Sequence, residues 1–213
     1  DRDFPDGRFS FLDVGGGSGE FADIVLSRYP ESTCVLLDTS EALLGMNADF
    51  GPRKSLMHAS VEDAEESLRA GTFDIVFMNW LLHHMVVSTY AGTREKVGQI
   101  LRSLIPLLTP RGRVSVFENI YRGLCIDGLP GYLIYRLTLS QLLSSVTARL
   151  GANTAGCGVC FQSHRQWCET LASAGLEVIC YSEDPESWQF SAAKRLILHI
   201  GDVRVGHFWC RGR

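Results

Sequence analysis

Phe11-Leu12-Asp13-Val14-Gly15-Gly16-Gly17-Ser18-Gly19-Glu20-Phe21-Ala22 is an apolar strand that runs into a glycine turn and opens directly into a helix. Glycine belongs at such a turn for a physical reason. The backbone there needs positive φ and must lie bare where a ligand comes closest, and the helix N-terminus behind it offers free N–H groups. Spacing separates the ligand classes that use this device. A nicotinamide or flavin fingerprint wants G-x-G-x-x-G, and counting from Gly15 puts Glu20 at the third place, where a side chain obstructs close helix–strand packing. No Lys-Ser/Thr pair closes the loop, which disfavours a nucleoside-triphosphate loop. What remains is acidic-x-Gly-x-Gly-x-Gly: Asp13, Gly15, Gly17 and Gly19.

Outward from this stretch, apolar runs rich in β-branched or aromatic residues alternate with helical periodicity. Strands are expected at 9–14, 33–38, 54–59, 73–79, 113–118, 176–181 and 194–200, and helices at 18–28, 40–49, 90–107 and 163–174. That order predicts an α/β fold, a doubly wound, seven-stranded, mostly parallel sheet with an antiparallel last strand. The connection 182–191 holds Pro185 and no helical period, so the last two strands read as an antiparallel pair. Residues 120–158 fit no βα repeat. Their amphipathic part, 132–150, has Leu133, Leu137, Leu143, Val146 and Leu150 among its apolar positions. It reads as a lid over a pocket at the carboxyl edge of the sheet, or as an extra core helix or dimer contact.

Further motifs stand at the strand ends. Asp38 closes the second strand, where a carboxylate can accept both hydroxyls of a ribose or cap the helix that follows. Ala59-Ser60-Val61-Glu62-Asp63 follows the third strand, and Phe73-Asp74-Ile75-Val76-Phe77-Met78-Asn79-Trp80-Leu81-Leu82-His83-His84 spans the fourth. Leu108-Thr109-Pro110-Arg111-Gly112-Arg113 precedes the fifth. Together with the glycine loop, these elements resemble, in order and spacing over residues 9 to 119, the class I S-adenosylmethionine-dependent methyltransferases of the small-molecule type.

The resemblance implies the Rossmann-like methyltransferase fold, S-adenosylmethionine as cofactor and S-adenosylhomocysteine as product. It implies that Asp13 lies near the methionine amino group, with Gly15 and Gly17 in the loop, and Asp38 and Thr39 at the ribose. Ser60 and the backbone of Val61 would meet the adenine, with Glu62 and Asp63 as alternatives in register, and Asn79 would stand beside the cofactor. The acceptor implied is a small molecule methylated at O, N or C. Alternatives are a cofactor-binding or scaffold protein of the same fold without catalysis, and a protein or nucleic-acid methyltransferase. No Asn/Asp-Pro-Pro-aromatic signature follows the fourth strand, which disfavours amino-base methylation.

Methyl transfer from a sulfonium is an in-line displacement, so alignment supplies much of the catalysis and a base is needed only where the acceptor must lose a proton. His83, four residues past Asn79, is the first candidate, and Glu118 the second; packing against Trp80 or bonding a loop carbonyl is the structural reading of either histidine. Cys157, Cys160, His164 and Cys168 have zinc-ligand residue types, but their intervals match no zinc module and they fall on an expected helix, so no metal is expected. Tyr121, Tyr132, Tyr135 and Phe161 are candidates for the wall of an apolar pocket.

The bulk properties fit this reading. A chain of 213 residues with 46% hydrophobic residues supports one domain, 1–213. The net charge of −4 is spread over interleaved acidic and basic residues, so no nucleic-acid partner is expected. Seven irregularly spaced cysteines point to a reducing cytoplasm, and no apolar run is long enough to span a membrane. The oligomeric state is not legible. The first strand begins within ten residues of Asp1, which suggests an upstream segment.

Overall fold

The computed structural model describes residues 3–64, 67–143, 145, 154 and 156–213. Seven strands form one sheet in the order β3-β2-β1-β4-β5-β7-β6. They are β1 (Ser10–Val14), β2 (Thr33–Asp38), β3 (Lys54–His58), β4 (Phe73–Asn79), β5 (Leu108–Gly123), β6 (Leu176–Glu183) and β7 (Ile200–Gly212). β7 lies between β5 and β6 and runs antiparallel to both, while the β1–β2, β1–β4, β2–β3 and β4–β5 pairs are parallel. The expected mostly parallel sheet with an antiparallel last strand is the one observed.

Helices among the described residues are α1 (Glu20–Arg28), α2 (Glu41–Leu44), α3 (Val61–Ala64), α4 (Tyr90–Leu104), α5 (Leu129–Leu139), α6 (His164–Ser173) and α7 (Ala192–Ile197). Strand alternation divides the core into two layers. Leu12, Val76, Met78, Val114, Val116 and Phe208 pack with Val97 and Leu101 of α4 and Trp167 and Leu171 of α6. Phe11, Leu36 and Ile75 pack on the other side with Ala22, Val25 and Leu26 of α1. The parallel strands therefore bring the ends of β1, β2 and β4, and the loops after them, to one edge of the sheet.

Several boundaries differ from expectation. The run 194–200 is not the last strand: Ser191 caps α7 by accepting the Lys194 N–H at 3.3 Å, and Leu196 and Ile197 are exposed on that helix. A short apolar run has no period of its own, so the cap decides for helix. β7 follows in residues 200–212, where buried Val203 and Val205 alternate with Asp202 and Arg204 and, after a shift of phase at Gly206, Phe208 and Cys210 with His207 and Trp209. β5 extends to Gly123, so the expected insertion loses its first residues to the sheet, and α5 occupies 129–139 rather than 132–150. Val146 and Leu150 lie outside the described residues. The helix expected at 40–49 is only the single turn of α2. α6 matches expectation and begins in a capping box of Ser163 and Gln166. Among the described residues, no helix is long and apolar enough to cross a membrane.

Candidate active site

The glycine turn is held from below and from the side. Gly15 N–H donates to the Leu37 carbonyl at 2.7 Å, and Gly17 N–H donates to Asp38 Oδ2 at 2.9 Å. Gly15 and Gly17 have φ of +70° and +55°, a region that glycine enters without steric cost. A Cβ on Gly15 would come within 2.8 Å of Leu81. Gly19, with φ +81°, is the N-cap of α1, and a Cβ there would strike Asn47 and Lys54. Asn47 Nδ2 donates to the Gly17 carbonyl at 2.9 Å, and Lys54, 2% exposed, forms an ion pair with Asp23 of α1. Asn47 and Lys54 thus brace the turn; neither carries a local sequence signal.

Asp13 is 1% exposed, and its Oδ2 has no hydrogen-bond partner among the described residues. Burial pushes its carboxyl up to about 7; Lys54 opposes the shift and Asp38 adds to it. A Cβ on Gly16 would lie 2.7 Å from that oxygen and 2.6 Å from Leu36, so only glycine fits where the turn crosses Asp13. An unpartnered buried carboxylate beneath a glycine cradle is chemically complementary to an ammonium group.

Ser40, not Asp38, caps α2, accepting the Leu43 N–H at 3.3 Å. Asp38 uses Oδ2 for Gly17 and Oδ1 for the Ser40 N–H at 2.8 Å, which leaves each oxygen a lone pair on the half-buried side chain. Thr39 is exposed beside it, and its carbonyl lies 3.0 Å from His58 Nε2. Ser60 Oγ donates to Asp63 Oδ2 at 2.7 Å and accepts the Asp63 N–H at 3.2 Å, while the Val61 side chain is buried in the core. Asn79, at the end of β4, has a buried Nδ2 without a partner among the described residues. Asp13, Gly15, Gly17, Asp38 and Asn79 all stand at the ends of neighbouring strands or in the turn between them.

His83 and Glu118 form a pair that spans the next strand. His83 Nδ1 lies 2.7 Å from Glu118 Oε2, and Glu118 Oε1 accepts the Leu82 N–H at 2.8 Å. Glu118 is 0% exposed and His83 7%. A carboxylate only accepts hydrogen bonds, so Nδ1 is the donor in this pair. Glu118, a candidate base in its own right, is instead fully engaged behind the histidine.

The surroundings are aromatic. Trp80 holds φ +50°, an uncommon state for a bulky residue, with its N–H on the Phe117 carbonyl at 2.8 Å and its ring edge-on to Phe117 at 4.8 Å. Phe161 stacks on Tyr121 at 4.4 Å and lies 5.1 Å from the His83 ring. The 157–163 segment is tied to the histidine loop where Cys160 N–H donates to the His83 carbonyl at 2.9 Å. Tyr135 of α5 donates to the Val87 carbonyl at 2.7 Å, so α5 is anchored to the same loop; Tyr132, partly exposed on α5, meets Tyr90 edge-on at 5.7 Å. Of the zinc-like residues, His164 and Cys168 approach to 3.7 Å, and among the described residues no three His, Cys, Asp or Glu side chains form a metal-holding group.

Residues 12–114 match the model of a methyltransferase domain. The malonyl-[acyl-carrier protein] O-methyltransferase of Paenibacillus sp. (strain JDR-2) is 22% identical over 205 residues, 92% of this chain and 65% of the relative. The chain thus spans less than two thirds of that relative's length, and 35% of a second malonyl-[acyl-carrier protein] O-methyltransferase, from Methylococcus capsulatus, at 26% identity over 105 residues and 49% of this chain. Among solved structures, a SAM-dependent methyltransferase of Leishmania major superposes with a TM-score of 0.64 at 15% identity, over 95% of this chain and 64% of its own. The [4+2]-cyclase SpnF superposes equally well, with a TM-score of 0.64 at 15% identity over 97% of this chain and 75% of its own, so the fold also carries other chemistry. The strand order and the glycine turn after β1 thus go with a match to a methyltransferase domain over residues 12–114, and the chain shares the fold of these solved structures.

Proposed function

We propose that this protein binds S-adenosylmethionine and transfers its methyl group to a hydroxyl or N–H group of a small-molecule acceptor. The observation that carries the reading is the 2.7 Å contact between His83 and Glu118, which fixes the imidazole through Nδ1 just beyond the end of β4. Such a group has one chemical use at a methyl-transfer site, which is to take a proton from an acceptor that must lose one.

The residues present fit the cofactor. Asp13 has a buried, unpartnered oxygen for its amino group, the bare turn at Gly15 and Gly17 admits its methionine part, and Asp38 and Thr39 stand where a ribose is held. Ser60 and Val61 supply the edge for the base, and Asn79 borders the sulfonium end. When bound, the cofactor supplies a methyl group already activated by positive charge. The protein orients the acceptor, excludes water and removes the proton to His83 Nε2. Residues 1–213 act as one domain in this reading. α5, from the expected lid segment 120–158, covers the acceptor side in this reading, supported by its anchorage to Val87.

The test is turnover with methyl-labelled S-adenosylmethionine over a panel of phenols, amines and carboxylates, read by S-adenosylhomocysteine formed. The reading expects product with one acceptor class and its loss in His83→Ala. A second reading, cofactor binding without methyl transfer, is favoured by the shared fold of the SpnF cyclase. Stoichiometric S-adenosylhomocysteine binding with no labelled product across the panel would select it.

A further inference from the structure

Phe117, Asn119 and Tyr121 are successive positions on one face of β5, opposite His207, Val205 and Val203 of β7. Each step along that face is about 6.6 Å, so Asn119 sits midway between two aromatic pairs. On one side is Phe117 with the Trp80 ring at 4.8 Å. On the other is Tyr121, stacked on Phe161 at 4.4 Å, with the His83 ring 5.1 Å beyond. Asn119 also follows Glu118 directly and lies two residues past Phe117, the register partner of Asn79.

Asn119 Oδ1 is buried and has no hydrogen-bond partner among the described residues. Buried amide oxygens are seldom left so. Its neighbour across the sheet, Val205, offers no side-chain donor, and nor does Val203. Asn79, in register with Phe117 and so on the same face, has a buried Nδ2 that is likewise without a partner among the described residues.

We propose that Asn119 orients the acceptor, its Oδ1 receiving a hydrogen bond from a hydroxyl or N–H of a flat ring lodged between the Trp80–Phe117 and Tyr121–Phe161 pairs. The donor is a group other than the one that is methylated, because the latter gives its proton to His83. The acceptor class is therefore a planar ring with two protic substituents. A site built to accept a hydrogen bond rejects the analogue that lacks the donor, since the buried oxygen is then left unpaired. This assignment rests on the methyl-transfer reading and names the substrate class for it.

Resorcinol and phenol, which differ by one donor, are titrated into the full chain saturated with S-adenosylhomocysteine. The wild type should bind resorcinol roughly tenfold more tightly than phenol. Asn119→Leu should bind the two equally with unchanged affinity for S-adenosylhomocysteine, and Asn119→Asp, which keeps an acceptor oxygen, should restore the preference. Asn119→Ser serves where the leucine variant does not fold. Lack of preference in the wild type, the same preference in Asn119→Leu, or failure of both phenols to bind overturns the assignment alone. Failure of S-adenosylhomocysteine itself to bind overturns the methyl-transfer reading, and the assignment with it.

Discussion

Glu118 binds His83 at two levels, taking the imidazole Nδ1 at 2.7 Å with one oxygen and facing the His83 backbone N–H at 3.4 Å with the other. One buried carboxylate at the end of β5 therefore fixes both the ring and the loop that carries it. The pair is 35 residues apart in sequence and is made only when β4 and β5 lie side by side.

His83→Ala is expected to lower turnover by about 10²- to 10⁴-fold with cofactor affinity nearly intact, because proton transfer is made in the transition state. His84→Ala, whose imidazole makes no such bond to Glu118, is the control and should cost far less. Steady-state rates with S-adenosylhomocysteine titrations of each variant check this; equal small losses in both would leave alignment alone as the catalyst.

Glu118→Gln keeps an oxygen for the Leu82 N–H but loses the charge behind the ring. Turnover should fall, since the imidazole loses the charged acceptor that fixes its orientation. The cofactor titration should not change. A loss of activity no larger than the loss of folded protein would return Glu118 to a structural role.

Asp13 gives the cofactor site a pH dependence. Its carboxyl is raised to about 7 in the free protein, and an ammonium ligand selects the ionised form, so binding must expel a proton below that pH. Affinity for S-adenosylhomocysteine is expected to rise as pH increases to about 7 and then to level off. Asp13→Asn should bind weakly at every pH and flatten the profile. For stability the sign is opposite: a raised carboxyl favours the folded free protein below about 4 relative to above 7, so the variant gains most over wild type at alkaline pH. Calorimetry and thermal melts across pH 5 to 9 (roughly two units either side of 7) read both effects.

Gly19→Ala places a Cβ at φ +81° against Asn47 and Lys54. It should destabilise the fold by about 1–3 kcal/mol and weaken cofactor binding in the fraction that folds. Melting temperature and the S-adenosylhomocysteine titration check it; a stable variant with full affinity would show that the braces beneath the turn are dispensable.

The strand, turn and helix from Phe11 to Ala22 were legible because every requirement there is local: apolar strand, positive φ, bare backbone, open helix end. Asp38 was legible as a strand-end carboxylate, but its hydrogen bond from the Gly17 N–H was not, because that contact exists only when the turn after β1 lies beside the end of β2. Asn47 and Lys54 gave no signal, since each reaches the turn from a different element. β7 was hidden for another reason. Its alternation slips phase at Val205 and Gly206, both buried, while the apolar run before it, read as strand, is drawn into helix by the Ser191 cap. The Glu118–His83 pair required the β4–β5 register, which periodicity alone does not supply.

The central claim, a cofactor site built for an ammonium-bearing adenosyl sulfonium and not for a dinucleotide, is tested most directly by calorimetric titration of the full chain with S-adenosylhomocysteine and NAD in parallel. The account predicts saturable one-to-one binding of S-adenosylhomocysteine, weakened in Asp13→Asn and Asp38→Ala, and no competing heat from NAD. Tighter binding of NAD, or S-adenosylhomocysteine affinity unchanged in both folded variants, would contradict it.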